Sequence, residues 1–172
     1  MKNKLLPLAS LSILLLIASC KKEGPQGPAG KDGNANVVSS NTVVLSNWSS
    51  LYDDGTDFLY SSTVTWPTIT QDVKDRGVVM VYYHDNTTTN WTALPYSEAG
   101  TGYSYSMNLD VAVGAVNISF EGYDNTGSPG ASALNNALTV RLVAIPASSR
   151  QANPNVNLND YNAVKQAYHL HD

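Results

Sequence analysis

The chain has 172 residues, a formal charge of −4, one cysteine, and ten tyrosines and three tryptophans against two phenylalanines. From Val37 onward five basic residues (Lys74, Arg76, Arg141, Arg150, Lys165) stand against twelve acidic ones, a net of −7 with no basic stripe. Nucleic-acid binding is dominated by phosphate neutralisation, so this balance excludes a nucleic-acid partner, and a single cysteine excludes a disulfide within the monomer.

Lys2 and Lys4 precede an apolar run from Leu5 to Ile17, broken only by Pro7, Ser10 and Ser12, with small residues after it. That is the layout of a signal peptide, expected over residues 1–19, and the run is too short to span a bilayer. The junction Ile17-Ala18-Ser19-Cys20 resembles a bacterial lipobox, which implies cleavage before Cys20 and a diacylglycerol on its sulfur. An ordinary secretory peptide ending beside a cysteine is the alternative. The lipid reading makes the membrane a partner through the N-terminus, with Lys21 and Lys22 at the headgroups.

Glycines then recur in threes at Gly24, Gly27, Gly30 and Gly33, with proline following the first two. Glycine at every third position is what a collagen triple helix requires, because only hydrogen fits at its axis. Twelve such residues extend roughly 37 Å at ~3.1 Å each. They are expected to form either a monomeric extended spacer or the seed of a homotrimer, and residues 20–36 are assigned to the lipidated cysteine and this spacer.

The stretch Gly24 to Val37, above all "GPAGKDGNANV", resembles the collagen-like lipoproteins of Bacteroidetes-type bacteria. "ITQDVKDRGVVMVYY", "WTALPY" and "VRLVAIP" extend the likeness over most of the mature chain. The resemblance implies one β-rich domain in the bacterial cell envelope, at the outer membrane. It brings no activity with it.

After Val37, Val, Thr, Tyr, Ser and Asn dominate and charge is sparse, which favours strands. The segment Asn41 to Trp48 reads as a first strand. Phe58, Tyr60, Val64 and Trp66 then alternate with Ser61, Thr63 and Thr65, as a half-buried strand does. Val78 to Tyr83, "VVMVYY", is apolar throughout and reads as a central strand covered on both faces.

A short strand is expected at Trp91 to Leu94. Tyr103, Tyr105, Met107 and Leu109 alternate with Ser104, Ser106, Asn108 and Asp110, and Val116, Ile118 and Phe120 with Asn117, Ser119 and Glu121. Gly122 to Ala137 reads as a long loop. Leu138 to Ile145 is a strand on which Arg141, opposite Val140 and Leu142, is expected at an edge or snorkelling out of the core.

The predicted fold is mainly β: an antiparallel β-sandwich of about seven or eight strands over residues 37–150, with a tail at 151–172. Asp160 is placed to cap a short C-terminal helix from Tyr161 to Leu170.

Candidate chemistry is sparse. Asp53, Asp54 and Asp57 around Gly55 are the candidate ligands for calcium, against the simpler reading of an acidic turn. Trp48, Trp66 and Trp91 stand beside turns and are candidates for a glycan-stacking platform, or else plug the ends of the core. His84 follows a core strand, while His169 and His171 lie in the fraying C-terminus. No Gly-x-Ser-x-Gly marks a nucleophile, and Asp110 with Glu121 would serve glycoside hydrolysis only if they faced each other across roughly 5–10 Å.

The expectation is a non-enzymatic, lipid-anchored envelope protein that meets a polysaccharide or an envelope protein. A carbohydrate-binding surface lipoprotein and a small envelope hydrolase are the alternatives.

Overall fold

Alternation of apolar and polar residues along the chain becomes two antiparallel sheets packed face to face, with three short helices. The structure, a computed structural model, describes residues 36–84, 90–126 and 138–171, all within the unit 31–172. The signal segment 1–19, Cys20 and the glycine triplets lie outside the described residues.

Sheet A contains β1 (Val38–Ser39), β2 (Val43–Leu45), β5 (Val78–His84), β6 (Thr92–Ala93) and β10 (Leu138–Ile145). Its order is β1-β10-β5-β6, with β2 also pairing β10. Sheet B contains β3 (Ser49–Asp53), β4 (Asp57–Thr65), β7 (Tyr96–Gly100), β8 (Tyr103–Ala112) and β9 (Ala115–Asp124), in the order β3-β4-β9-β8-β7. The helices are α1 (Gln71–Arg76), α2 (Ala147–Ala152) and α3 (Tyr161–Tyr168).

The long hairpin β8–β9 follows from its glycine. Gly114 takes φ 78° in the two-residue connection, a backbone region that side chains with a Cβ disfavour. The hairpin's register then pairs Met107 with Phe120 and Leu109 with Ile118, so the apolar residues of both strands face one way.

That face meets sheet A. Phe58, Tyr60 and Val64 of β4 and Val116, Ile118 and Phe120 of β9 pack against Val81 and Tyr83 of β5 and Val140 and Leu142 of β10. Full burial of each such side chain is worth about 1.5–3 kcal/mol.

The other face of sheet A is covered too. Tyr82 of β5 and Val143 and Ile145 of β10 form a second cluster with Tyr161, Val164 and Tyr168 of α3 and with Leu170. This explains "VVMVYY": Val79, Val81 and Tyr83 enter the first cluster, and Val78, Met80 and Tyr82 the second. Asp160 caps α3 as expected, its Oδ1 accepting from the backbone N–H groups of Asn162 at 2.9 Å and Ala163 at 3.2 Å.

The structure departs from the sequence reading at several places, and the strand expected at Asn41 to Trp48 is confined to Val43–Leu45. Arg141 is neither at an edge nor exposed. β10 lies between β5 and the β1/β2 pair, and α3 roofs the face that carries the guanidinium, which leaves it 8% exposed. Gly122 to Asp124 belong to β9 and not to a loop. Helix α1, capped by the Thr70 hydroxyl accepting from Val73 N–H, and edge strand β7 both appear where none was expected. The strand at 91–94 shortens to Thr92–Ala93.

Candidate functional site

The three tryptophans do not share a surface. Trp48 packs edge-on to Phe120 at 6.4 Å and, with Trp66, lies against the core between the sheets. Trp91 lies against the second cluster instead, 5.7 Å from the Tyr161 ring. All three are half-buried, the geometry of core plugs more than of one stacking platform.

Asp53, Asp54 and Asp57 do not converge either, and no group of three metal-ligating side chains is found among the described residues. The first two carboxylates organise their own turn. Asp53 Oδ1 accepts from Gly55 N–H at 2.9 Å and its Oδ2 from the Tyr60 hydroxyl. Asp54 Oδ1 accepts from Thr56 and Asp57 N–H at 2.9 and 2.8 Å, and its Oδ2 from the Tyr52 hydroxyl. The tyrosine hydroxyl is the largest influence on each, and with the backbone donors it holds both carboxyls below the ordinary aspartate range.

The hydrolase candidates are likewise separated. Asp110 pairs with Asn117 and Ser106 with Glu121, so the two acids stand four residues apart along the hairpin, about 14 Å at ~3.4 Å per residue. That exceeds the range for paired glycosidase carboxylates. His84 packs its ring on Trp91 at 5.4 Å, and His169 is the left-handed cap of α3 at φ 52°.

Two groups that the sequence did not offer as candidate sites stand out in the structure. Under α3, Arg141 Nη1 donates to the Tyr161 hydroxyl at 2.6 Å and Nη2 to Thr42 Oγ1 at 3.1 Å. Its guanidinium carbon lies 5.0 Å from the Trp91 ring centroid and 5.5 Å from that of Tyr161, within cation–π range. This knot fastens the C-terminal helix to sheet A.

The second lies along β7, β8 and β9, where an open groove of about 370 Å³ is lined by Ser97, Glu98, Ser104, Ser106, Glu121 and Gly122, with Tyr105 beside them. On the opposite, inward face of the same strands, the Glu98 carboxylate accepts from three tyrosine hydroxyls: Tyr96 at 2.8 Å, Tyr103 at 3.0 Å and Tyr105 at 2.7 Å. Burial first, and then the bond to Glu98, push the Tyr105 hydroxyl well above the ordinary tyrosine pKa; at Tyr103 the Glu98 bond comes first. Gly122 lets β8 approach, since a Cβ there would lie 2.2 Å from the Ser104 carbonyl oxygen.

Charge is divided between the sheets. None of the five strands of sheet B contains Lys or Arg, while they carry Asp53, Asp57, Glu98, Asp110, Glu121 and Asp124. Among the described residues the basic side chains sit on α1, α2, α3 and β10. Strand alternation alone shows the hydroxyls of β8 and β9 facing outward, but the convergence on Glu98 depends on how the edge strand β7 registers with β8. No protein-family model, no curated protein and no solved structure matches the chain.

Proposed function

We propose that the protein is a lipid-anchored component of a bacterial cell envelope, at the outer membrane, whose β-sandwich is held off the bilayer by a short collagen-like spacer and serves a non-enzymatic, interacting role. The observation that carries this reading is the lone cysteine, Cys20, in Ile17-Ala18-Ser19-Cys20 behind an apolar leader. A thiol used for lipid attachment accounts for a chain with no second cysteine to pair with it.

The fold is consistent with a tether at its N-terminus. Strand β1, at an edge of sheet A, begins at Val38, and only Asn36 and Val37 separate it in sequence from Ala35, the last residue of the four glycine triplets. The separation of Asp110 from Glu121 and the use of His84 and His169 in packing and capping support a role without catalysis.

Fractionation of cells expressing the full chain tests the tether. Cys20→Ser should move the protein from the membrane to the soluble fraction; continued retention of that variant on membranes would overturn the reading.

A further inference from the structure

The outward face of sheet B places a fixed carboxylate, serine hydroxyls and an exposed aromatic ring side by side. Pairing sets one row across the sheet as Tyr52, Leu59, Glu121, Ser106 and Ser97. The adjacent row is Asp57, Tyr123, Ser104 and Ala99. Members of a row are about 4.8 Å apart, the spacing of neighbouring strands.

Glu121 is oriented before any ligand arrives. Its Oε1 accepts from Asn108 Nδ2 at 2.9 Å and from Ser106 Oγ at 3.3 Å, while Oε2 receives no donor among the described residues. Tyr123, two residues further along the same strand and on the same face, is 38% exposed, and neither its ring nor its hydroxyl has a partner among the described residues. Both adjoin the groove through Ser106 and Ser104, their cross-strand neighbours.

We propose that the groove along β7, β8 and β9, with Glu121 and Tyr123 at its margin, is a binding site for a neutral saccharide. Each component matches one feature of a sugar. The free Glu121 oxygen accepts from sugar hydroxyls, the Ser97 and Ser104 hydroxyls donate or accept, and the Tyr123 ring covers an apolar C–H face. A face that carries Asp57, Asp110 and Glu121 on a sheet whose strands hold no Lys or Arg repels phosphorylated, sulfated or uronate-rich chains, so the sugar is uncharged. Glu121 already draws on O–H and N–H donors, taking an amide and a hydroxyl, and sugar hydroxyls extend that pattern. The site is independent of the lipid tether, so failure of either proposal leaves the other standing.

The test is calorimetric titration of the full chain in detergent with neutral hexasaccharides of glucose, mannose and xylose, and with polylysine as the cationic competitor. At least one hexasaccharide should bind, with an affinity unchanged between low and physiological salt. Tyr123→Ala and Glu121→Gln should each weaken that binding about tenfold, whereas Asp110→Asn, on the same face but away from the groove, should leave it within about twofold. Backbone amide shifts of the unmodified protein, mapped with the same sugar, should centre on Ser104, Ser106, Glu121 and Tyr123, which keeps the test valid if a variant misfolds. The proposal is overturned if no hexasaccharide binds at millimolar concentration. It is equally overturned by salt-sensitive binding of polylysine alone, or by shifts and tryptophan quenching centred on Trp48, Trp66 or Trp91.

Discussion

Arg141 and Tyr161 join the last strand of the sandwich to the C-terminal helix through a 2.6 Å hydrogen bond from Nη1 to the phenol oxygen. The same guanidinium lies over the Tyr161 ring at 5.5 Å, so one residue of the helix supplies both an acceptor and a π face to a buried cation. Tyr161→Phe keeps the ring and removes the acceptor. It should lower stability by about 1–3 kcal/mol, the cost of losing a buried charge-assisted bond, as measured by the urea midpoint. Arg141→Lys should be at least as damaging, because an ammonium cannot reach Tyr161 and Thr42 together as the planar guanidinium does.

The acidic turn predicts a response to low pH. Asp53 and Asp54 are held below the ordinary aspartate pKa of 3.8, foremost by the Tyr60 and Tyr52 hydroxyls and then by backbone donors. A carboxyl depressed in the folded state stabilises it above the unfolded value, and that contribution is lost as pH falls below 3.8 through the lower folded value. Thermal midpoints should therefore decline below about pH 4. The decline should be shallower in Asp53→Asn and Asp54→Asn, and an unchanged slope in both would count against the turn as its source.

At alkaline pH the opposite sign applies. Burial, followed by the nearby Tyr161, Asp160 and Tyr168, raises the Tyr82 hydroxyl well above 10.0, and burial followed by Glu98 does the same at Tyr105. A phenol raised in the folded state contributes fully below 10.0, and the contribution is lost as pH climbs beyond it. Phenolate absorbance of the folded protein should show a fraction of tyrosines that ionise only with unfolding. Tyr82→Phe and Tyr105→Phe should each reduce that fraction.

Gly122 offers a steric test. A methyl at this position would lie 2.2 Å from the Ser104 carbonyl oxygen and 2.8 Å from Tyr105 Cα, both backbone atoms that cannot turn aside. Gly122→Ala should therefore cost about 1–3 kcal/mol through forced separation of β8 and β9. Gly55→Ala, at φ 89° with nothing within 4 Å, should lose stability through backbone strain alone and leave amide shifts of the β8–β9 pair unchanged.

The sandwich was readable wherever one face of a strand meets water. Tyr103 to Asp110 and Val116 to Glu121 alternate because their polar members are solvated, and period-two patterning reports that contrast directly. Helix α1 was legible in principle, since Thr70 precedes it, Asp72 lies in its first turn and Lys74 and Arg76 lie in its last. At six residues with one buried side chain, it carries too little periodicity to compete with the surrounding strand signal. Gly122 reads as a turn because its reason for being glycine belongs to a different strand.

Local pattern sufficed for the strands of β4, β5, β8, β9 and β10 and for the Asp160 cap, because burial of one face and satisfaction of a helix terminus are decided within a few residues. Pairing between distant segments decided the rest. The position of Arg141 follows from β10 lying between β5 and the β1/β2 edge with α3 above it, which alternation along β10 does not encode. The triple engagement of Glu98 and the adjacency of Glu121 to Tyr123, Ser104 and Ser106 likewise depend on strand register, since a slip of one residue would turn each of these side chains to the opposite face.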